Sequence, residues 1–229
     1  ISSRDNVVLK GLTFNFFLSA NMCYHTIMKK FILNTLFPIQ CLACGSEGKF
    51  ICPSCLEQIP LNSEPSAATN YENPLIKKAV HHYKYNFVQE LSIPLGALMA
   101  KKLIAVPKNC VLIPVPLHKK RLRWRGFNQS ELLAQEISKK LNIPVASDIL
   151  IRTKNTPPQA KIENPAHRKA NLQNAFALNY WGQSPRRGLS PITIILVDDI
   201  ATTGATLQEC AKALAPLKPK SIQALVLAR

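Results

Sequence analysis

The sequence predicts an α/β domain built on a parallel sheet, with a small cysteine-bearing module ahead of it, and three observations carry that prediction. The run Ile192-Thr193-Ile194-Ile195-Leu196-Val197 is uncharged and rich in aliphatic and β-branched residues. It reads as a strand buried on both faces, as strands of a parallel sheet are. It passes into Asp198-Asp199, a turn containing Thr202, Thr203, Gly204 and Thr206, and then Leu207, Ala211, Leu214 and Ala215 at helical spacing. Strand, polar turn and helix follow one another directly. Second, Val111-Leu112-Ile113-Pro114-Val115-Pro116 and Ser221 to Ala228 supply further strand candidates, with helical periodicity between them over Asn128 to Leu141. Third, Cys41, Cys44, Cys52 and Cys55 form a compact C-x2-C-x7-C-x2-C pattern.

Length and charge narrow the function classes. With 229 residues, 47% of them apolar, the chain has room for one ordinary domain plus a small appendage. Lys and Arg number 29 against 13 for Asp and Glu, a formal net charge of +16. That excess favours a polyanionic partner, nucleic acid first, with an anionic membrane or a phosphorylated substrate behind it. No apolar run reaches the roughly 18 residues of a membrane span. Gly11 to Met28 comes nearest and is interrupted by Asn15, Asn21 and His25. Residues 1–35 are read as an N-terminal extension, with Met22 or Met28 as an ordinary start and residues 1–27 as an upstream extension.

In chain order, Met28 to Phe37 is a short amphipathic lead into the cysteine module, residues 36–60. Two chelating cysteine pairs are the pattern that closes a tetrahedral thiolate site around zinc, and four ligands leave no open position, so such a zinc is structural. Disulfides or a redox C-x-x-C are the alternatives; the chain shows no secretory framework, and neither pair opens a βαβ unit. Residues 61–73, polar and proline-punctuated, read as a linker to a domain over 74–229. Pro74 to Tyr83 reads as a helix with proline in its first turn, and His81 and His82 on it as surface or boundary residues. Gln89 to Ile104 reads as a second helix.

The strand at Val111 to Pro116 leads into the most basic stretch. From Lys101 to Ser130 there are eight Lys or Arg and no acid, with Lys119, Lys120, Arg121, Arg123 and Arg125 interleaved with Trp124 and Phe127. Read as a loop after a sheet strand, it can hold a pyrophosphate through forked arginine donors. It can equally track a nucleic-acid backbone with an aromatic available for stacking. Asn128 to Leu141 follows as a helix burying Leu132, Leu133, Ile137 and Leu141. Ile149 to Gly188 is the least regular part. It holds the stiff turn Thr156-Pro157-Pro158-Gln159 and a short basic helix over Ala166 to Leu172 that includes Arg168 and Lys169. A long irregular segment of this kind is read as a lid.

The turn after Asp199 invites an anion. Helix N-terminal amides lack intrahelical partners, and with the hydroxyls of Thr202, Thr203 and Thr206 they can enclose a phosphate, while Gly204 lets the backbone approach. Two carboxylates repel a phosphate, so they are better placed to accept hydrogen bonds from the hydroxyls of whatever carries it. A sugar phosphate satisfies both halves. The turn has neither G-x-x-x-x-G-K-[ST] nor G-x-G-x-x-G, which sets aside the P-loop and dinucleotide readings.

The run Val197-Asp198-Asp199-Ile200-Ala201-Thr202-Thr203-Gly204-Ala205-Thr206 resembles the phosphoribosyl pyrophosphate (PRPP) signature of type I phosphoribosyltransferases. Several separate blocks extend the likeness. Leu36-Phe37-Pro38 leads into the four cysteines, and Tyr83-Lys84-Tyr85 follows. Ile113-Pro114-Val115-Pro116-Leu117-His118 runs into Arg121-Leu122-Arg123-Trp124-Arg125-Gly126-Phe127-Asn128-Gln129, and Thr156-Pro157-Pro158-Gln159 precedes the terminal Leu225-Val226-Leu227-Ala228-Arg229. Together they resemble the ComF family of competence proteins over residues 36–229. Ala201 stands where leucine is common in that family. The resemblance implies a type I phosphoribosyltransferase-like parallel-sheet domain behind a zinc knuckle. It implies ribose hydroxyls held by Asp198 and Asp199, and the 5′-phosphate by Ala201, Thr202, Thr203, Gly204, Ala205 and Thr206. Pyrophosphate falls near Leu117, His118, Lys119, Lys120 and Arg121, with Lys84 also at the substrate and Mg²⁺ accompanying PRPP. It further implies a cytoplasmic role in natural transformation, with single-stranded DNA and a helicase-like partner. Arg123, Trp124, Arg125, Arg168 and Lys169 are the residues assigned to nucleic acid. Three functions follow: a phosphoribosyltransferase with an unnamed acceptor, a PRPP-sensing or DNA-binding protein without catalysis, or a zinc-organised adaptor.

Overall fold

The structure is a computed structural model and describes residues 38–103, 106–156, 172–179 and 192–229. The chain divides into two compact units, Ile1–Phe50 and Ile51–Arg229. In the first, residues 38–50 form a tight knuckle. Gln40 and Glu47 pair as an antiparallel bridge, the Gly45 N–H donates to the Cys41 carbonyl at 3.0 Å, and the Gly48 N–H donates to the Ile39 carbonyl at 2.7 Å.

The second unit opens with the short helix α1 (Pro53–Glu57), set directly behind Cys52 with proline at its first position. Its sheet has four strands, all parallel, in the order β1-β6-β5-β2. These are β1 (Ala67–Thr69), β2 (Cys110–Pro114), β5 (Thr193–Ile200) and β6 (Ser221–Ala228). The uncharged run of β5 lies between β2 and β6, with Thr193 through Val197 all buried, which is why it tolerates no alternation of polar and apolar residues. The register pairs Pro114 with Val197 on one side and Val197 with Leu225 on the other.

Successive side chains alternate between the sheet faces. Val111, Ile113, Ile194 and Leu196 belong to a core with Cys210 and Leu214 of helix α6 (Ala205–Leu214) and with Leu150, Leu172 and Phe176. Helices α3 (Ser92–Lys102) and α5 (Gln129–Leu141) pack on each other and on the sheet. Their wholly buried Leu95, Leu98, Met99, Leu133 and Ile137 lie in the core with Leu112. Gly96 permits the close α3–α5 approach, because a Cβ there would sit 2.5 Å from the Glu136 Cβ. Helix α2 (Pro74–Tyr85) begins at Asn73, whose Oδ1 accepts from the N–H groups of Leu75 and Ile76 at 3.0 and 3.2 Å.

Several expectations are adjusted. The basic stretch read as a loop is a helix, α4 (Lys119–Arg125). Its Lys, Arg and Leu are good helix formers, and the His118 Nδ1 caps it by accepting from the Lys120 N–H at 3.3 Å. The helix from Pro74 runs two residues past Tyr83. The segment from Gln89 starts as a 3-10 turn, Gln89–Leu91, before α3. Residues 61–73 carry β1, whose small side chains let it dock beside β6. The irregular interval contains β3 (Leu150–Arg152) and β4 (Phe176–Leu178), paired antiparallel. The turn beyond Thr156, the basic segment with Arg168 and Lys169, and the N-terminal extension lie outside the described residues. Among those described, no helix is long and apolar enough to cross a membrane.

Candidate functional site

Ligands of open parallel sheets bind beyond the carboxyl ends of the strands, and β5 delivers its two acids there. Asp198 and Asp199 open onto a cavity of about 300 Å³, whose wall also takes in Lys84, Arg121, Arg125, Gln129, Ser130 and Arg152. Each carboxylate has a distinct partner. The Ser130 hydroxyl donates to Asp198 Oδ1 at 2.8 Å, and the Asp199 N–H donates to the same oxygen at 2.9 Å. Lys84 Nζ lies 2.9 Å from Asp199 Oδ1, which also accepts from the Ile200 N–H at 2.7 Å. Asp199 is only 8% exposed. Burial, and then the neighbouring Asp199 carboxylate, push the Asp198 carboxyl well up, to about 7, against the pull of Ser130 and Lys84.

The turn follows at once. Ala201 is buried and anchored by its N–H to the Ala228 carbonyl at 3.1 Å, fixing the start of the loop to the end of β6. Thr202 and Thr203 are exposed. Gly204 sits at the N-cap of α6 with φ of 74°, a left-handed conformation that costs glycine nothing. The N-cap glycine offers no side chain; the Ala205 N–H donates to the Thr203 hydroxyl at 3.4 Å, and the first-turn amides have no intrahelical partners. Ala201 through Thr206 all line the cavity.

Opposite charge gathers from other elements. Arg121 and Arg125 come one turn apart from α4, and Arg152 from β3. The Arg121 Nη2 donates to the Thr156 carbonyl and the Arg152 Nη2 to the Thr156 hydroxyl, the latter at 2.6 Å. Arg125 Nη1 donates to Gln129 Oε1 at 2.6 Å. None of the three has a carboxylate within ion-pair distance among the described residues. Burial lowers the pKa of each, and Arg121 suffers repulsion from Arg125 as Arg152 does from Arg121. Among the described residues, the buried Nε atoms of Arg125 and Arg152 and the Nε2 of Gln129 have no hydrogen-bond partner. A cluster of repelling, under-satisfied cations is unfavourable until an anion enters.

The residues singled out from sequence thus divide. Asp198, Asp199, Ala201 through Thr206, Lys84, Leu117 and Arg121 share the cavity wall. His118 caps α4, and Lys119 and Lys120 are exposed on that helix. Arg125, assigned to nucleic acid, lines the cavity, whereas Arg123 and Trp124 are exposed. Ser130, Gln129 and Arg152 also line the cavity, and pattern reading did not single them out as site residues. Ser130 meets Asp198 across 68 positions, and a single arginine after Leu150-Ile151 carries no motif.

The sulfur atoms of Cys41, Cys44, Cys52 and Cys55 all lie within 4.8 Å of one another. Four thiols at that spacing, two from each C-x2-C turn, match the tetrahedral all-sulfur set of a structural zinc with Zn–S bonds of about 2.3 Å. The donor chemistry fits zinc, and it leaves no position for substrate.

Residues 128–229 match the family model described as "Phosphoribosyl transferase domain". Among curated proteins, the chain is similar to "Competence protein F" of Haemophilus influenzae, 34% identical over 199 residues, covering 82% of this chain and 84% of that protein. It is likewise similar to "DNA utilization protein YhgH" of Escherichia coli K12, 30% identical over 201 residues, with coverage of 85% and 84%. A shorter match, 33% over 107 residues, covers 47% of this chain and 39% of "Competence protein ComFC" of Bacillus subtilis. The parallel sheet, the four-thiol centre and likeness along most of both chains place this protein in the ComF family of competence proteins, with a phosphoribosyltransferase domain.

Proposed function

We propose that the cavity binds PRPP and that the protein acts in DNA uptake by natural transformation, handling single-stranded DNA in the cytoplasm beside a helicase-like partner. The observation that carries the PRPP reading is the convergence in one cavity of a strand-end acid pair, a threonine-rich helix N-terminus and a set of arginines without carboxylate partners among the described residues. In this reading the 5′-phosphate lies at Ala201 to Thr206, and the ribose hydroxyls donate to Asp198 and Asp199. The pyrophosphate lies near Leu117 and Arg121, which Arg125 and Arg152 support. Asp198 and Asp199 would hold a Mg²⁺ accompanying PRPP, and the ion would screen the pyrophosphate charge. Carboxylate oxygens not engaged by Ser130 and Lys84 suit such a hard cation.

Loss of pyrophosphate leaves an oxocarbenium-like sugar. Preorganised guanidiniums stabilise the departing charge, and the acid pair fixes the ribose, so no covalent nucleophile is required. Lys84 holds Asp199 in place until a ribose hydroxyl competes for it. The test is PRPP-dependent pyrophosphate release with nucleobases, amines and single-stranded DNA as acceptors, in the wild-type protein and in Asp198→Asn. Release with one acceptor that vanishes in the variant supports catalysis. PRPP binding with no release under any acceptor supports the second reading, a PRPP-sensing or DNA-binding adaptor, which the prior engagement of Asp199 by Lys84 favours.

A further inference from the structure

The end of α2 and the outer face of α4 carry aromatic side chains that the core does not use. Trp124 is 61% exposed, Tyr85 50% and Phe87 39%. The rings of Phe87 and Trp124 meet edge to face with centroids 5.1 Å apart, each covering the other instead of the sheet. Phe87 holds φ of 57° just past the end of α2, where glycine or asparagine is the usual occupant. A bulky residue there is strained, and strain of this kind persists where a function holds it.

The aromatic run continues inward. Tyr85 lines the cavity, its ring 5.2 Å from that of His81, which lines it too. Arg125 joins the two regions: its guanidinium carbon lies 5.8 Å from the Trp124 ring centroid, and the same side chain borders the cavity. The helix that carries Trp124 also bears the exposed Lys119, Lys120 and Arg123, in a stretch of sequence free of acids. Exposed flat rings beside cations suit unpaired bases joined by phosphates, since every base has a π-face and duplex DNA conceals it.

We propose that Tyr85, Phe87 and Trp124 form a base-stacking platform for a single-stranded nucleic acid, whose path runs along α4 to the cavity mouth and shares Arg125 with the bound PRPP. The sharing rests on the PRPP reading of the cavity; the platform does not. It follows that strand and PRPP weaken each other's binding.

The experiment measures fluorescence anisotropy of a labelled oligothymidine of about 15 nucleotides against the full chain at fixed salt. A duplex of equal length is the control. Replacing Phe87 and Trp124 together by alanine is expected to weaken strand binding about tenfold or more, leave PRPP affinity unchanged, and leave the weaker duplex binding unchanged. Adding PRPP with Mg²⁺ is expected to weaken strand binding severalfold in the wild-type protein. Unchanged strand affinity in the double variant, or duplex binding as tight as single strand, overturns the platform. Bound PRPP that leaves strand affinity untouched overturns the sharing of Arg125. Failure of PRPP to bind at all removes the cavity assignment instead, and the double variant still decides the platform.

Discussion

Replacing Asp198 by asparagine separates the structural cost of the acid pair from its use. In the folded chain the Asp198 carboxyl is raised from its ordinary 3.8 to about 7, chiefly by burial and then by Asp199. Between those values the folded state holds a proton that the unfolded chain has released, so stability declines as pH rises from about 4 to about 7. The full shift corresponds to about 4 kcal/mol. The side chain is half-buried rather than sealed from solvent, which reduces this to about 2 kcal/mol. Asparagine keeps an oxygen to accept from Ser130 and from the Asp199 N–H and carries no charge. Asp198→Asn is therefore expected to unfold at higher urea than wild type at pH 8, by about 2 kcal/mol, and to match it near pH 3, below the unfolded pKa. Its PRPP affinity should fall more than tenfold. Urea titrations followed by circular dichroism at both pH values read the first effect. Parallel pH profiles in the two proteins, or a less stable variant at pH 8, would refute the account of the acid pair.

Other outcomes follow from single contacts. Ser130→Ala removes the one side-chain hydrogen-bond donor to Asp198 among the described residues and is expected to weaken PRPP binding about fivefold to tenfold, about 1 kcal/mol, with melting little changed; calorimetry on the variant measures it. Metal analysis of reduced protein should find about one zinc per chain, and Cys44→Ser should lower that content; a metal-free, equally stable wild type would remove the thiolate centre. Phe87→Gly relieves the left-handed strain at that position and is expected to raise the melting temperature by a few degrees; a lower one would mean that the contact with Trp124 outweighs the strain.

What the sequence disclosed about the fold was set by how local each signal is. The strand at Ile192 to Val197, the turn through Thr206 and the strand at Ser221 to Ala228 were readable because burial on both faces and a helix start leave their marks within a few residues. β1 was hidden because Ala67, Ala68 and Thr69 are short and weakly patterned, and their burial depends on pairing with β6, distant in sequence. The helical state of Lys119–Arg125 was masked by charge, which proclaims a ligand more loudly than a backbone conformation. The site was legible where one segment carries it, at Asp198 to Thr206. It was not where partners come from afar: Ser130 and Arg152 reach the acids and arginines only through tertiary packing. Lys84 was found through family likeness, and its ion pair with Asp199 supplies the physical reason.

The central claim is that the end of β5 is a pocket for a phosphorylated five-carbon sugar, and calorimetric titration of PRPP with Mg²⁺ into the full chain tests it most directly. Saturable binding at one site per chain, weakened more than tenfold in Asp199→Asn and unaffected by Trp124→Ala, is the predicted result. Heat no different from dilution in the wild-type protein, or equal affinity in Asp199→Asn, would contradict it.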